Sequence, residues 1–355
     1  MQRHFLLRKI QVGKTVFFLV VNPTMNIISP MSFSQYFDLL PSQIAFLDDV
    51  VAGLNSNPKQ IAPKYFYDKR GCSLFEDICN LPEYYPTRTE LSIMAENATA
   101  MADWIGKGGT LIEIGCGNSH KSRLLLEELQ PTEFVALDIA VEQLKSSCDA
   151  LAQEFPKIKI VALRADFEEA PAIPAEAGIS AAPRILYFPG STIGNFTPTA
   201  AREFLSRWAP VLGAGSYALI GVDMKKDRAL LEAAYNDANG VTASFNQNLL
   251  SRLNRELRAD FDETAFRHWA FYNAEEGRIE MHLKSLCLQI VSLGGARIEF
   301  SANETIRTEI SCKYSIEEFQ ELGRAAGYLP QTFWTDSKNM FAVHLFKLPP
   351  NLATP

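Results

Sequence analysis

One short segment constrains the fold of this chain more than any other: a buried-strand pattern that runs into glycines and then into a helix. The apolar run Leu111–Ile114 contains Glu113, and Gly115 and Gly117 follow it directly. Asp138 closes the next apolar run, 21 positions after Gly117. In an open α/β sheet this order places both carboxylates at the carboxyl ends of neighbouring strands, where small ligands bind. The glycines let the backbone approach a ligand closely, because no Cβ stands in the way.

The spacing of Asp138 suits a ligand whose ribose is held by its two hydroxyls. A dinucleotide site would require Gly-x-Gly-x-x-Gly, but the third position after Gly117 is His120, followed by Lys121. Glu113, directly before the loop, would also repel a pyrophosphate. An acidic Glu-x-Gly-x-Gly loop suits a cofactor with an amino group and a sulfonium, and therefore predicts S-adenosylmethionine (SAM). An ordinary turn with incidental acids is the alternative.

Charge and cysteine usage exclude several other classes of protein. The net charge of -7 argues against a nucleic-acid partner, which needs a basic face. The six cysteines contain no C-x-x-C pair, so we interpret them as free thiols of a reducing, cytoplasmic environment. The five histidines form no metal-type cluster, and no metal is expected.

Residues 1–32 are interpreted separately from the rest. Val16–Val21 is apolar and follows a basic start, but it is too short to span a bilayer, and Asn22, Pro23 and Thr24 interrupt it before any cleavage site. Met25 and Met31 offer later starts. We therefore expect an N-terminal extension with little fixed structure, consistent with a mis-called start.

The pattern along the chain predicts an α/β protein with a second lobe. Apolar spacing predicts a helix over Gln35–Asn55, and aromatic and proline residues around a short helix at Leu74–Ile78 indicate a packed arm or a lid. Near-continuous apolar strands then alternate with helices up to Val222, which predicts a parallel sheet covered on both faces. After Asp223 the alternation stops, and helices followed by a strand meander predict an inserted lobe. The expected strands of the sheet are Leu111–Ile114, Phe134–Leu137, Ile158–Leu163, Ile185–Phe188 and Tyr217–Val222, with helices beginning near Ser119, Val141 and Pro198. The expected elements after Asp223 are helices Asp227–Ala238 and Thr242–Leu257, strands Phe266–Tyr272, Ile279–Leu293, Ala296–Phe300 and Thr305–Lys313, and then helix Ile316–Ala326 with strands Tyr328–Trp334 and Met340–Lys347.

Several polar positions permit both a binding and a structural interpretation. Asp166 and Phe167 end the third strand, where an acid can accept from an adenine amine or simply cap a turn. Asn195 lies in the loop after the fourth strand, beside the place of a methyl donor, or holds that turn. Tyr235 faces either core or pocket. Glu309 and Ser311 share one face of a strand, which either binds a polar ring or faces water.

Six longer motifs together carry a family resemblance. They are Leu81–Glu90, Glu113–Gly117, Gly190–Asn195, Ala238–Thr242, Asn254–Leu257 and Glu309–Lys313. In this order they resemble the L-histidine Nα-methyltransferases of ergothioneine biosynthesis, and the similarity extends from about Met31 to Lys347. The resemblance implies a Rossmann-like class I SAM-dependent methyltransferase sheet with an inserted α+β amino-acid-binding domain. It divides the chain into a substrate part, 33–88 plus 226–313, and a SAM-binding part, 89–225 plus 314–348.

The resemblance also implies roles for individual residues. Tyr67 would lie near the substrate α-amine, and Asn195 and Tyr235 would hold the α-carboxylate. Cys116 and Asn118 depart from the family's usual small hydroxyl residues, with little consequence because backbone atoms make the contacts there. The implied cofactor contacts are Gly115, Gly117, Lys121, Asp138, Asp166, Phe167 and Gly190, and the implied side-chain pocket is Tyr84, Met281, Glu309 and Ser311.

The expected activity is methyl transfer from SAM to the α-amino nitrogen of L-histidine by a cytoplasmic monomer that needs no membrane. One alternative is the same chemistry on another amino acid, such as tryptophan or a derivative. The retained Glu309 and Met281 argue against it. The other alternative is a SAM-binding protein without catalysis.

Overall fold

The structure is a computed structural model that describes residues 6–12, 15–21, 33–40, 43–180 and 183–350. Backbone contacts divide the chain into two units, residues 1–32 and residues 33–355. In the first unit, β1 (Leu6–Val12) pairs antiparallel with β2 (Thr15–Val21). These strands are rich in β-branched and aromatic residues, which favour extended backbone. The sequence analysis expected little fixed structure here, and the hairpin departs from that expectation.

The second unit contains the remaining elements. Its strands are β3 (Gln35–Asp38), β4 (Thr110–Ile114), β5 (Glu133–Asp138), β6 (Lys159–Arg164), β7 (Arg184–Phe188), β8 (Tyr217–Asp223), β9 (Phe266–Asn273), β10 (Arg278–Ser285), β11 (Gln289–Leu293), β12 (Ala296–Phe300), β13 (Thr305–Cys312), β14 (Leu329–Thr335) and β15 (Phe341–Lys347). Its α-helices are α1 (Gln43–Asn55), α2 (Lys69–Cys79), α3 (Tyr85–Ile105), α4 (His120–Leu129), α5 (Val141–Glu154), α6 (Pro198–Leu212), α7 (Arg228–Ala233), α8 (Val241–Leu257) and α9 (Ile316–Ala325).

The central sheet has the order β14-β15-β8-β7-β4-β5-β6-β3. Strands β3 to β8 within it are parallel, whereas β15 runs antiparallel to β8 and to β14. The chain order reverses direction at β4, which has β5 on one side and β7 on the other. Ligands of open α/β sheets bind at this switch point, outside the carboxyl ends of the strands. The sheet is therefore mostly parallel, as the alternation of strands and helices predicted.

Apolar layers cover both faces of this sheet. On one face, α6 and α9 bury large side chains against the strands, among them Trp208 and Phe319. On the other face, α3, α4 and α5 do the same with residues such as Met94 and Leu125. The caps follow the sequence: Thr197 accepts from the Ala200 amide ahead of Pro198, and Ser315 forms a capping box with Glu318.

A second group of elements has its own hydrophobic core. Strands β13, β10 and β9 form an antiparallel sheet in that order, and β11 pairs with β12. Helices α1, α2 and α8 pack with these strands around buried residues such as Phe66, Leu249 and Met281. The meander that the sequence predicted after Asp223 is therefore present. The predicted strand Ile279–Leu293 is in fact two strands, because exposed residues 286–288 separate β10 from β11.

Other elements also differ from the sequence-based prediction, and the helix expected over Asp227–Ala238 is helical only over Arg228–Ala233. The helix expected over Gln35–Asn55 is helical only from Gln43, because β3 precedes it and pairs with β6. Helix α3 begins inside the segment interpreted as an arm or lid, with Pro86 in its first turn, where the missing N–H costs nothing. No helix in the described part of the chain combines the length and apolar character that crossing a bilayer requires.

Candidate active site

The glycine loop after β4 borders open space. Gly115 and Gly117 have φ values of +68° and +48°, and a Cβ built on either would meet no atom within 4 Å. The Gly115 amide donates to the Leu137 carbonyl at 2.8 Å, and the Gly117 amide donates to Asp138 Oδ2 at 3.2 Å. The loop is thus held to β5 by its amides, while its other side remains accessible to a ligand.

Two carboxylates make this end of the sheet acidic. Asp138 also accepts from the Ala140 amide at 2.9 Å, and burial raises its pKa above the ordinary value. Glu113 is 1% exposed, and burial raises its pKa to about 8, although the neighbouring Ser122 hydroxyl and the charge of Lys121 lower it in part. Its Oε2 has no hydrogen-bond partner of good geometry among the described residues. A buried acceptor without a donor implies a missing partner. A cationic cofactor beside an open glycine loop fits this arrangement, and SAM carries an ammonium and a sulfonium.

A buried ion pair connects the glycine loop to the loop after β7. Glu90, on α3, is fully buried and pairs with Lys121 at the start of α4. The Gly190 amide donates to Glu90 Oε2 at 2.9 Å, and Gly190 has a φ of +76°. The structure therefore brings together Lys121 and Gly190, both predicted as cofactor contacts. Glu90 was part of a quoted motif, but sequence reasoning gave it no role, because its spacing from Lys121 and Gly190 carries no signal.

Asp166 and Phe167 lie at the end of β6, as the sequence predicted. Asp166 caps a 3-10 turn by accepting from the Glu168 amide at 3.0 Å, and its other oxygen pairs with Lys64 at 2.9 Å. The Phe167 ring lies 5.7 Å from that of Phe188. Both interpretations of Asp166 remain compatible with this geometry, because each of its carboxylate oxygens can accept a further hydrogen bond. Sequence reasoning missed Lys64.

Tyr67 connects the cofactor end of the sheet with the second group of elements. Its ring lies 5.7 Å from Phe75 and 6.0 Å from Phe245. Burial raises the Tyr67 pKa well above its ordinary value, and the charges of Glu309 and Asp138 raise it further. The hydroxyl is therefore within electrostatic reach of both carboxylates, one from each part of the molecule.

Strand β13 presents Glu309 and Ser311 on one face. Glu309 is opposite Met281 on β10, and a bulge follows Met281. Burial raises the pKa of Glu309 to about 7, although the charge of Lys313 lowers it in part. The charge of Glu309 also raises the pKa values of Tyr67 and Tyr84, so its carboxylate lies near these two tyrosines. Glu309 is thus half-buried on this face of β13, near Tyr67 and Tyr84.

Lys313 continues the same face of the chain and was not predicted. Its ammonium lies 2.7 Å from Ser311 Oγ and 3.3 Å from the Tyr235 hydroxyl. It also pairs with Asp223 at 2.7 Å, and both side chains are 1% exposed. Burial lowers the pKa of Lys313, but Asp223 and Tyr235 outweigh it and hold the pKa above its ordinary value. The Tyr235 ring lies 6.3 Å from that of Tyr84.

Asn195 lies where the loop after β7 meets β13. It ends the 3-10 turn Thr192–Asn195, and a Cβ on the preceding Gly194 would be 2.9 Å from the Cys312 carbonyl oxygen. This close approach places Asn195 next to the strand that carries Ser311. The predicted substrate residues Asn195, Tyr235, Met281, Glu309 and Ser311 therefore come from the two parts of the molecule and lie around β13.

The comparisons with known proteins agree with this geometry. A family model described as histidine-specific, SAM-dependent methyltransferase matches residues 46–348. A histidine N-alpha-methyltransferase of Mycolicibacterium smegmatis is 41% identical over 323 residues, which covers 89% of this chain and 98% of that protein.

More distant relatives include proteins of two other kinds. Ergothioneine biosynthesis protein 1 of Neurospora crassa is 33% identical over 81% of this chain, which spans only 33% of that longer protein. A 4-dimethylallyltryptophan N-methyltransferase of Penicillium roqueforti is 30% identical, covering 81% of this chain and 89% of that protein. The match of the family model and the 41% identity establish the family. The chain belongs to the SAM-dependent, histidine-specific methyltransferases.

Proposed function

We propose that this enzyme transfers three methyl groups from SAM to the α-amino nitrogen of L-histidine and forms Nα,Nα,Nα-trimethylhistidine, as the first step of ergothioneine biosynthesis. The observation that carries the proposal is the position of Tyr67. The charges of Asp138, at the cofactor end of the sheet, and of Glu309, on β13, both raise the pKa of its hydroxyl. Asp138 and Glu309 therefore lie near the same tyrosine, and the proposal puts a nucleoside beside Asp138 and an imidazole beside Glu309.

The residues that would hold the cofactor are those around the glycine loop. Asp138 offers a carboxylate to the ribose hydroxyls, and Glu113 offers an unpartnered buried carboxylate oxygen to a cationic group. When bound, SAM would supply an electrophilic methyl carbon for in-line attack by the amine lone pair, and the thioether S-adenosylhomocysteine would be the leaving group. The protein needs no covalent intermediate, because alignment and exclusion of water account for this kind of catalysis.

The attacking amine must be neutral, since a protonated amine has no lone pair. Tyr67 has a raised pKa, so its hydroxyl keeps its proton and orients the amine without acting as a strong base. The proton is lost to solvent before the amine aligns with the methyl donor. A pH–rate profile that followed an enzyme carboxylate instead of the substrate amine would contradict this assignment.

Recognition of the imidazole is assigned to Glu309 and Ser311, and recognition of the α-carboxylate to Asn195 and Tyr235. Glu309 has no hydrogen-bond partner among the described residues that would compete with a ring N–H. An ionised Glu309 accepts from that N–H, and Ser311 pairs with the other ring nitrogen. An indole has one N–H and no second ring nitrogen, so it would leave part of this pair unused.

Incubation with SAM and a panel of amino acids, read by mass spectrometry, tests the proposal. Trimethylated histidine is the expected product. Methylation of tryptophan or a prenylated tryptophan, the printed substrate class of the Penicillium relative, would support the alternative substrate. Absence of any methylated product, with SAM binding intact, would support a non-catalytic SAM-binding protein.

The wider assignments belong to the same proposal. The SAM-binding part would comprise 89–225 plus 314–348, and the substrate part 33–88 plus 226–313. A separate hydrophobic core supports most of this division. At its boundaries, however, Phe33 packs in the core of the central sheet and β3 pairs with β6. We also propose that the enzyme acts as a cytoplasmic monomer. Size-exclusion chromatography with light scattering measures the oligomeric state.

A further inference from the structure

We infer that Lys313 is a positioning residue for the amino-acid substrate and acts through Tyr235 and Ser311. The inference deepens the proposed function and rests on it, because it concerns how both ends of histidine are recognised. Its basis is geometric: one buried ammonium contacts a side chain assigned to the α-carboxylate and another assigned to the imidazole.

The three contacts of Lys313 occupy all of its donors. They are Asp223 and Ser311 Oγ, each at 2.7 Å, and the Tyr235 hydroxyl at 3.3 Å. The ammonium also lies 5.2 Å from the centre of the Tyr235 ring. An ammonium carries three donors and no acceptor. Lys313 therefore has no free N–H for the substrate, and any effect on the substrate passes through its neighbours.

The direction of these hydrogen bonds orients the two hydroxyls. Because Lys313 can only donate, the oxygens of Tyr235 and Ser311 accept from it, and their own hydrogens point to other partners. Tyr235 is then a donor to a carboxylate. Ser311 is a donor to a ring nitrogen that lacks hydrogen, while Glu309 accepts from the ring N–H. This pattern matches a neutral imidazole, which has one donor and one acceptor.

The charge of the surrounding network favours an anion at Tyr235. Asp223 pairs with Lys226 at 2.5 Å as well as with Lys313, and the Tyr85 hydroxyl donates to it at 2.8 Å. With both lysines protonated, Asp223, Lys226 and Lys313 together carry one more positive than negative charge. The nearby Glu309 carboxylate, when ionised, offsets this excess, but it is assigned to the imidazole end of the substrate. An excess buried charge is stabilised by an opposite charge nearby. The substrate α-carboxylate supplies this negative charge. It accepts a hydrogen bond from the Tyr235 hydroxyl, which the Lys313 ammonium polarises.

The same network fixes the position of β13 relative to the central sheet. Asp223 ends β8, and its amide donates to Ser191 Oγ in the loop after β7 at 2.9 Å. Lys313 follows β13 directly. A purely structural role would consist of this connection alone, and would affect every ligand equally.

The experiment compares two ligands in two variants. Binding of histidine and of histidinol, which lacks the carboxylate, is measured by calorimetry in the presence of S-adenosylhomocysteine. Lys313→Met should weaken histidine binding by about tenfold or more, the value of one charge-assisted hydrogen bond. It should weaken histidinol binding less. Lys226→Met is the matched control, because it also removes one lysine from Asp223 but no hydrogen bond to Tyr235 or Ser311, and it should change the histidine-to-histidinol ratio less than Lys313→Met does.

An unchanged ratio in Lys313→Met would overturn the inference, as would an equal shift in both variants. If Lys313→Met does not fold, Lys313→Gln keeps a donor beside Asp223 while removing the charge, and the same change of ratio is expected. Failure of the parent protein to bind histidine would instead contradict the proposed function. The two failures are therefore distinguishable.

Discussion

Glu309 combines an unfavourable environment with the most specific role in the site. Burial raises its pKa to about 7, and the described residues offer it no hydrogen-bond donor. Glu309 is half-buried, and a carboxylate that loses part of its hydration without gaining a donor destabilises the ligand-free fold. In the complex the same carboxylate accepts a hydrogen bond from the imidazole N–H, which offsets the unfavourable free energy of its burial. Such local conflicts are expected where a site is built for a ligand.

Replacing Glu309 by alanine should therefore change selectivity as well as rate. Loss of a charge-assisted hydrogen bond is expected to lower kcat/KM for histidine by about ten- to hundred-fold. Turnover of phenylalanine or tryptophan should fall less or rise, because no unpaired carboxylate remains beside an apolar ring. Steady-state kinetics on the three amino acids measures both effects. Unchanged kinetics would remove Glu309 from the site.

The raised pKa also predicts a pH-dependent gain in stability for Glu309→Gln. The ordinary pKa is 4.5 and the folded-state pKa is about 7, so the native state binds more protons between these values. Stability of the parent therefore falls as pH rises through this window. Glutamine cannot ionise, so the Tm of the variant relative to the parent should rise from pH 5 to pH 8. Thermal unfolding without ligands measures it.

Glu299→Gln is the matched control for that experiment. Glu299 is an exposed glutamate on β12, so its replacement should change Tm by a similar amount at both pH values. A Tm difference for Glu309→Gln that does not vary with pH would contradict the assignment of Glu309 as a half-buried acid with a raised pKa.

The residues that sequence reasoning missed share one property. Lys313, Glu90 and Lys64 each act through a partner distant in sequence, such as Asp223, Lys121 or Asp166. No periodicity or local spacing encodes such a pair, because only the fold brings its members together. Asp138 and Gly117 were predictable, since adjacent parallel strands bring consecutive strand ends to one edge.

At the scale of elements, the loop that follows β7 packs against β13, and this contact connects the two parts of the site. Gly194 lies in this loop, and a Cβ there would be 2.9 Å from the carbonyl oxygen of Cys312 and 3.3 Å from its amide nitrogen. Both atoms are backbone, so no side-chain rotation relieves the contact. The glycine is needed here for close approach, and the approach sets the distance between Asn195 and Ser311.

Gly194→Ala should therefore separate the loop from β13 and weaken histidine binding, by about tenfold if one hydrogen bond is lost. Gly213→Ala is the matched control. Its φ is +88°, so it is strained, but a Cβ there meets no atom within 4 Å. Both variants should lose stability, and only Gly194→Ala should lose histidine affinity in calorimetry. Equal affinity in the two variants would show that the junction does not set the substrate site.

Elements with a strong pattern of apolar residues were predicted from the sequence more accurately than elements with a weak one. Strands β4 to β8 are near-continuous apolar runs bounded by turns, and they were predicted within one residue at most ends. Helix α3 was missed because Tyr84, Tyr85 and Pro86 resemble a loop in composition, although proline is compatible with a first helical turn. Strand β3 was missed because its four residues continue an apolar spacing that fits the following helix equally well.

At the scale of the whole molecule, residues 33–355 form one compact unit that contains every residue assigned to the site. The family model matches within this unit, over residues 46–348. Its two groups of elements are joined by pairs of residues that are far apart in sequence. Tyr67 and Glu309 are one such pair, and Asp223 and Lys313 another.

This organisation predicts how far the N-terminus can be shortened. A chain that begins at Met31 keeps the whole compact unit, and we expect its Tm and its turnover of histidine to equal those of the full chain. A chain that begins at Gln43 loses β3, which pairs in register with β6 and whose Asp38 pairs with Arg164 at 2.9 Å. Its Tm should fall, because the edge of β6 beside Asp166 is then unpaired. Thermal unfolding and product formation, measured on both shortened chains, separate the two cases. Loss of turnover in the chain that begins at Met31 would assign residues 1–30 a role in the enzyme.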